Sequence, residues 1–364
     1  MKFKVKRDKL QKALSRVSSA IPSRSQFLML GNVLMEADDN KLTLTTTDVE
    51  LRISTSVEAE VSEPGRTTAP ARKLASLVAY LAGEDVEFTV DELDHIRISC
   101  GTGKFKLLGL AAADFPEEEK FASVRKITMK ESDLKRMIGS ISYAVSADDA
   151  RKVLIGVLMS LRESLLTLVA TDGKRMAMRE KSPESVEGAD GDVIIPHKAI
   201  NEVRKQLDGD GVVTISAGDK ECVFEGDSFR LRTKLIEGNY PNYRQVVPSS
   251  FKETVEIPVA AFLSKIETVA LVVSDNNAFI VLDFSDNKLT LSASSSDVGE
   301  GSDVIDIAYS GEPIKVSFNP VFLADPLRNT DSESVTLKIN DALNPVAIEG
   351  KEGFLYVIMP IRKN

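Results

Sequence analysis

The 364-residue sequence has no tryptophan, two histidines and two cysteines, and each scarcity removes a class of function. Two histidines are too few for a histidine-based triad or metal cluster. His95, at a strand entrance, and His197, after Pro196 at a helix start, read as surface or capping residues. Cys100 and Cys222 stand far apart without CxxC spacing, which argues against a disulfide framework or a structural zinc site and for two reduced thiols. Without tryptophan, and with 6% aromatic residues, a stacking platform for bases or sugars is weak. No P-loop, GxGxxG, HExxH or GxSxG string occurs. Gly101-Thr102-Gly103 reads as a hairpin turn, where glycine supplies positive φ, and no cofactor is expected. No apolar run is long enough to span a membrane. Met1 to Arg7 alternates charged and apolar residues without the apolar core of a secretory signal, which points to the cytoplasm. Carboxylates alone are plentiful. A pair such as Asp148-Asp149 could hold magnesium or perform acid/base chemistry, so the alternative reading is a carboxylate- or metal-dependent hydrolase or transferase on a repeated α+β scaffold. Adjacent acids more commonly form a solvated loop.

What the sequence does contain is one pattern written three times. A short alternating strand precedes an apolar face at helical spacing at Phe3, Val5 then Leu10, Leu14, Val17. The pattern returns at Ile127, Met129 then Leu134, Ile138, Ile141, and at Val255, Ile257 then Phe262, Ile266, Val269. Lys41-Leu-Thr-Leu44, Leu165-Leu-Thr-Leu168 and Lys288-Leu-Thr-Leu291 follow in register, and then Thr47-Asp48, Thr171-Asp172 and Ser296-Asp297. A second helix is expected to open at Pro70, Pro196 and Pro320, proline being tolerated in a first turn. Pro326 should shorten or kink the third of these. Alternating strands return at Val86–Val90, Val212–Ile215 and Val335–Ile339, and the first two units exit through Asp114-Phe-Pro116 and Asn239-Tyr-Pro241. The expected organisation is α+β: three domains, 1–119, 127–246 and 254–364, each with two helices packed on antiparallel sheets.

The net charge of −9 speaks against a polyanionic partner only if it is evenly spread. Over the six helical windows, 8–20, 70–82, 131–143, 197–207, 258–270 and 320–328, twelve Lys or Arg stand against six Asp or Glu. The helices therefore carry +6 and the remainder −15. Helix faces that share a surface turned towards a polyanion would account for the split; a general preference for Lys and Arg on solvated helix faces is the plainer alternative. The helix cations that would serve are Lys9, Lys12, Arg16, Arg72, Lys73, Lys198, Arg204 and Lys205.

Triplication, helix-borne basic charge and missing catalytic groups converge with particular strings. Ala170-Thr-Asp-Gly-Lys-Arg175, Ala112-Ala-Asp-Phe-Pro116, Tyr240-Pro-Asn-Tyr243 and the ending Tyr356-Val-Ile-Met-Pro-Ile-Arg362 resemble the bacterial beta sliding clamps, processivity subunits of the replicative DNA polymerase. The resemblance covers essentially the whole chain. It implies a non-catalytic, head-to-tail homodimeric ring of six domains around duplex DNA, held without sequence readout, with Arg24 as a further DNA contact. It also implies a hydrophobic groove for a short Gln-led apolar peptide from replicative and repair polymerases and from the ATP-dependent clamp loader. Matching positions are Leu154, Thr171, Gly173, Arg175 and Met176, then Pro241 and Val246, then Val357, Ile358, Met359, Pro360, Ile361 and Arg362. Apolar side chains there would bury the peptide's apolar residues and arginines would meet its polar end. Lys174 and Gln245 depart from the His and Arg usual in the family. For the seam of the ring the resemblance implies Phe105 and Leu107 against Val272 and Val273, with Lys73, Arg97 and Lys104 facing Asp297, Glu300 and Asp303.

Overall fold

The computed structural model describes residues 1–22, 27–274 and 279–362. The first third runs β1 (Lys2–Lys6), α1 (Arg7–Val17), β2 (Asn32–Asp38), β3 (Lys41–Thr47), β4 (Leu51–Glu58), β5 (Glu60–Glu63), β6 (Gly65–Pro70), α2 (Ala71–Tyr80), β7 (Asp85–Val90), β8 (His95–Cys100) and β9 (Gly103–Leu108). The order returns in β10 (Arg125–Lys130), α3 (Glu131–Ile141), β11 (Gly156–Arg162), β12 (Leu165–Thr171), β13 (Arg175–Lys181), β14 (Ser185–Gly188), β15 (Gly191–Pro196), α4 (His197–Gln206), β16 (Val212–Ala217), β17 (Glu221–Glu225) and β18 (Phe229–Lys234). It returns again, without a counterpart of β5 and β14 among the described residues, in β19 (Glu253–Pro258), α5 (Val259–Ala270), β20 (Ile280–Ser285), β21 (Lys288–Ser295), β22 (Gly299–Asp306), β23 (Ile314–Phe318), α6 (Pro320–Arg328), β24 (Ser334–Ile339), β25 (Val346–Glu349) and β26 (Phe354–Ile358).

The repetition reaches single dihedral angles. The hairpins β2–β3, β11–β12 and β20–β21 turn through Asp39-Asn40, Glu163-Ser164 and Asp286-Asn287, each pair with both φ values between 44° and 63°. Two successive left-handed residues make the tight turn whose twist matches the flanking strands. The helices form where the apolar spacing placed them: α1 buries Leu10, Ala13, Leu14 and Val17, and α5 buries Phe262, Ile266 and Val269. Two details differ from expectation. Pro70 and Pro196 end strands β6 and β15, paired with Asn32 and Gly156, and only Pro320 occupies a first helical turn. Each strand-end proline fixes the backbone just before its helix begins, so the helix loses no bond.

Packing groups the strands into two compact units: residues 1–132, 184–189 and 198–235, and residues 133–183, 190–197 and 236–364. The first unit holds a five-stranded sheet, β5-β1-β7-β8-β9, and a nine-stranded one, β14-β10-β16-β17-β18-β4-β3-β2-β6. Within it α1 packs on α2 and on β3 and β4, and Phe3 stacks on Phe88 at 4.7 Å between centroids. The second unit holds an eight-stranded sheet, β15-β11-β12-β13-β26-β25-β24-β19, and a four-stranded one, β22-β21-β20-β23, with α5 packed on α6, β21 and β22. Sheets thus continue from one repeat into the next: β18 of the second pairs with β4 of the first, and β26 of the third pairs with β13 of the second. The corresponding strands β9 and β22 are left as sheet edges.

Candidate functional site

The junction of β13 and β26, inside the second unit, gathers most of the groove positions. Antiparallel register sets Met176 opposite Val357 and Arg175 opposite Ile358. Met176 and Val357 join one apolar cluster with Leu158, Val169, Ile194 and Tyr243, flanked by half-buried Val153, Ile236, Tyr240 and Val247. Beside this floor, Val246, Met359 and Ile361 are 41%, 40% and 38% exposed. These are side chains that an apolar segment could cover, at about 25 cal/mol per Å² of area removed from water. The last strand's end is fixed by backbone bonds, Met359 N–H to the Lys174 carbonyl at 3.0 Å and Ile361 N–H to that of Ser317 at 2.7 Å. Strand alternation divides the tail: Val357 faces the cluster, whereas Ile358, fully buried, points to the other face and serves the core. Leu154 is buried in a short 3-10 turn, and Pro241, Pro360 and Arg362 lie at partly or fully exposed positions.

The turn entering β13 is built by side chains. Thr171 Oγ1 donates to the Arg175 carbonyl at 2.6 Å and accepts from Gly173 N–H at 3.1 Å, and Asp172 Oδ1 accepts from Lys174 and Arg175 N–H at 2.8 and 3.0 Å. Gly173 has φ +85°. The Lys174 side chain is exposed at this turn.

Arg175, which the resemblance sets against the peptide's polar end, is engaged within the chain. Its guanidinium donates to Asp172 at 3.0 Å, Asp325 at 2.5 Å and the Tyr143 carbonyl at 2.7 Å, and lies 4.3 Å from the Phe322 ring centroid. Burial disfavours its charge, but Asp325 and Asp172 outweigh burial and raise its pKa. Arg175 is a cross-strut of the second unit. A second exposed cation beside the turn, with Lys174, is Arg151, whose Nη1 donates to the Asp172 carbonyl at 3.2 Å. Arg151 escaped the sequence reading, as did Tyr240, Tyr243, Val153 and Val247. The two tyrosines stood in the recognised string Tyr240-Pro-Asn-Tyr243, the only signal that could have placed them. Burial pushes both phenols above their ordinary pKa.

The helix cations fall in the first unit. Lys9 pairs with Glu58, Arg16 with Asp208, Lys198 with Asp48, and Lys205 with Glu202 at 2.7 Å. Arg72 donates to the Pro22 carbonyl at 3.0 Å. Lys12, Lys73 and Arg204 are exposed and have no ion pair among the described residues. Arg24 lies outside the described residues. Asp148 and Asp149 are an exposed loop, where Asp148 caps the Ala150 N–H at 3.0 Å and lies 3.8 Å from Arg151. Among the described residues no group of three or more His, Cys, Asp or Glu is arranged to hold a metal.

Each unit also carries one of the open edges. On β9, Phe105 and Leu107 lie opposite buried Ile98 and Ile96, so an apolar face runs out to the edge, where Phe105 is 41% exposed and Lys104 is exposed. Arg97 is held 3.3 Å from Asp91. On the other unit, Val272 and Val273 are half-buried after α5, and Glu300 and Asp297 are exposed. Asp303 is taken by Lys265 at 2.8 Å, which holds its carboxyl below the usual value. Arg97 and Asp303 therefore have partners within the chain.

Three family models match this sequence: the N-terminal, central and C-terminal domains of the DNA polymerase III beta subunit, over residues 1–119, 128–242 and 244–362. The beta sliding clamp of Chlamydia muridarum is 31% identical over 362 residues, covering 100% of this chain and 99% of that protein. That of Escherichia coli K12 is 30% identical, with 100% of both covered. Among solved structures, sliding clamps of Pseudomonas aeruginosa and Bacillus subtilis superpose with TM-scores of 0.96 and 0.95 at 28% and 25% identity, each covering 100% of both chains. No helix among the described residues is long and apolar enough to cross a membrane.

Proposed function

The chain belongs to the family of the DNA polymerase III beta subunit, the beta sliding clamps, and from that premise we propose how its own residues do the work. It is a non-catalytic processivity subunit acting in the cytoplasm, and the hydrolase alternative has no support. Two copies close head to tail into a ring of six repeats around duplex DNA. The ring tethers polymerase, clamp loader and repair factors through the β13–β26 floor. The observation that carries the tether is the Met176–Val357–Tyr243 floor with exposed Val246, Met359 and Ile361 beside it, while Arg151 and Lys174 supply exposed cations next to Arg175. The domains are 1–119, 127–246 and 254–364.

Lys12 and Arg204, with Arg24, meet phosphates directly; Lys73, which also faces the seam carboxylates, must leave them to do so. Lys9, Arg16, Lys198 and Lys205 must exchange a carboxylate partner for each phosphate. Such contacts are individually weak and sequence-independent; retention comes from enclosure. The seam joins β9 to β22, the two edges left open when β18 and β26 complete their neighbours' sheets, with Phe105 and Leu107 against Val272 and Val273, and Lys73 and Lys104 facing Asp297 and Glu300. A joint of one patch with a different patch is heterologous and closes only through another copy.

The deciding experiment loads the chain on circular and linear duplexes. Retention on the nicked circle with loss from the linear form is expected, and equal retention on both defeats the ring. Light scattering should give about twice the 39.7 kDa chain mass, and Phe105→Glu should shift it towards the single chain. Titration of a Gln-led apolar peptide should show weaker binding by folded Met359→Ala and Val246→Ala; unchanged affinity in both defeats the groove.

A further inference from the structure

The chain contains the groove's backbone twice. In the first unit, Thr47, Asp48, Val49 and Leu51 repeat the turn before β13: Thr47 Oγ1 donates to the Leu51 carbonyl at 3.0 Å and accepts from Val49 N–H at 3.0 Å, and Asp48 Oδ1 accepts from Glu50 and Leu51 N–H at 3.1 and 2.7 Å. Val49 has φ +80°, beside +85° at Gly173. The strand beyond pairs in the same register, Arg52 opposite Arg232 where Met176 opposes Val357. Lys234 N–H bonds the Glu50 carbonyl at 2.9 Å as Met359 N–H bonds that of Lys174 at 3.0 Å. A cavity of about 230 Å³ opens here, lined in part by Thr47, Val49, Arg52, Pro116, Glu118 and Arg232.

Only the floor differs. Glu118 stands 125 positions before Tyr243, as Arg232 stands before Val357. Where the second junction sets Met176, Val357 and Tyr243 together, the first sets Arg52, Arg232 and Glu118. Glu118 accepts from Arg232 at 3.0 Å and Arg230 at 2.5 Å and lies 3.8 Å from Arg52. Arg232 is pinned further by Glu221 and by the Glu119 carbonyl at 2.6 Å. An apolar peptide laid on this floor would desolvate three charged groups and bring no hydrogen bonds to replace water.

We propose that Arg52, Arg232 and Glu118 are specificity-determining residues: they turn a second peptide groove of the same backbone into an ionic junction and so limit the chain to one apolar peptide. The inference rests on the groove reading above and adds what confines it to one of two equivalent places. Exchanging the three side chains for those of the other junction opens the first. The variant Arg52→Met, Glu118→Tyr, Arg232→Val is titrated calorimetrically with the Gln-led apolar peptide, beside the native chain. One peptide per native chain and a twofold rise in the variant are expected. A native chain that binds none defeats the groove reading itself. A native chain that binds one and a folded variant that still binds one overturn this inference alone. Should the triple variant not fold, Arg52→Met with Glu118→Gln leaves Arg232 on Glu221. Excess peptide should then slow amide exchange at positions 52 and 53 as at Met176 and Ala177, and no slowing at the first pair overturns the inference.

Discussion

The Tyr356 hydroxyl donates to the Phe322 carbonyl at 2.7 Å, the acceptor that Pro326, four residues on, leaves without a helical partner. A proline inside α6 removes one N–H, and a buried phenol from β26 replaces it. Burial holds that phenol protonated, well above its ordinary pKa. Tyr356→Phe should therefore destabilise the chain by about 1–3 kcal/mol, the cost of an unsatisfied buried acceptor. In a Pro326→Ala background, where the helix can supply its own donor, the same change should cost less. Urea unfolding of the four proteins measures the coupling, and equal costs in both backgrounds would contradict it.

Val49 occupies a left-handed conformation, φ +80°, that a β-branched residue rarely adopts. Gly173 shows the residue the same turn takes when unconstrained. Val49→Gly should raise stability by about 1 kcal/mol, since Val49 is 55% exposed and has little packing to lose. Gly173→Ala should do the opposite, because a side chain at φ +85° is strained, while the Arg151 guanidinium 2.7 Å from the added Cβ ends a flexible chain and can move aside. Thermal unfolding tests both signs.

The acid sensitivity of the ionic junction has a definite direction. Burial alone would raise the Glu118 carboxyl, but hydrogen bonds from Arg230 and Arg232 outweigh it and hold the pKa below its ordinary value. A depressed carboxyl contributes stability that is complete above the unfolded pKa and vanishes as pH falls through the folded one. The stability difference between the native chain and Glu118→Gln should be constant above about pH 5 and shrink below it. A difference that grows on acidification would reverse the assignment.

Pairing of the helix cations sets how DNA binding responds to salt. Lys12→Ala should flatten the dependence of log affinity on log salt by about 0.9, one phosphate contact. Glu58→Gln, which releases Lys9, should steepen it by a similar amount. Fluorescence anisotropy on a short duplex at several salt concentrations gives both slopes, and identical slopes would show that Lys9 and Lys12 do not meet phosphate.

How much of this was legible in the sequence follows from the range of each interaction. Apolar spacing within a dozen residues announces α1 or α5, and a shared Leu-Thr-Leu announces β3, β12 and β21. The threefold repeat was visible for that reason. Nothing local states that β4 receives β18 and β13 receives β26, because antiparallel register between strands some 180 residues apart leaves no period in either. The floor residues Met176 and Val357 were reached through resemblance alone. Asp325, which engages Arg175, lies 150 positions away and leaves no local sign, and the carboxylates that occupy Lys9, Arg16 and Lys198 are hidden in the same way. Pro70 and Pro196 missed by a single residue, since a strand's last position and a helix's first are equally acceptable to proline.

The open edges of β9 and β22 make the chain a run of tiles, each with a tongue and a socket. Inside the chain every tongue has found the socket one tile back, which leaves one of each over. Such a row has no intrinsic length. Whether it ends as a closed circle of six tiles, a larger circle or an endless helix is decided by the angle between neighbouring tiles, accumulated around the row. A small change of that angle at a joint within one chain would be felt as a gap at the joint between two.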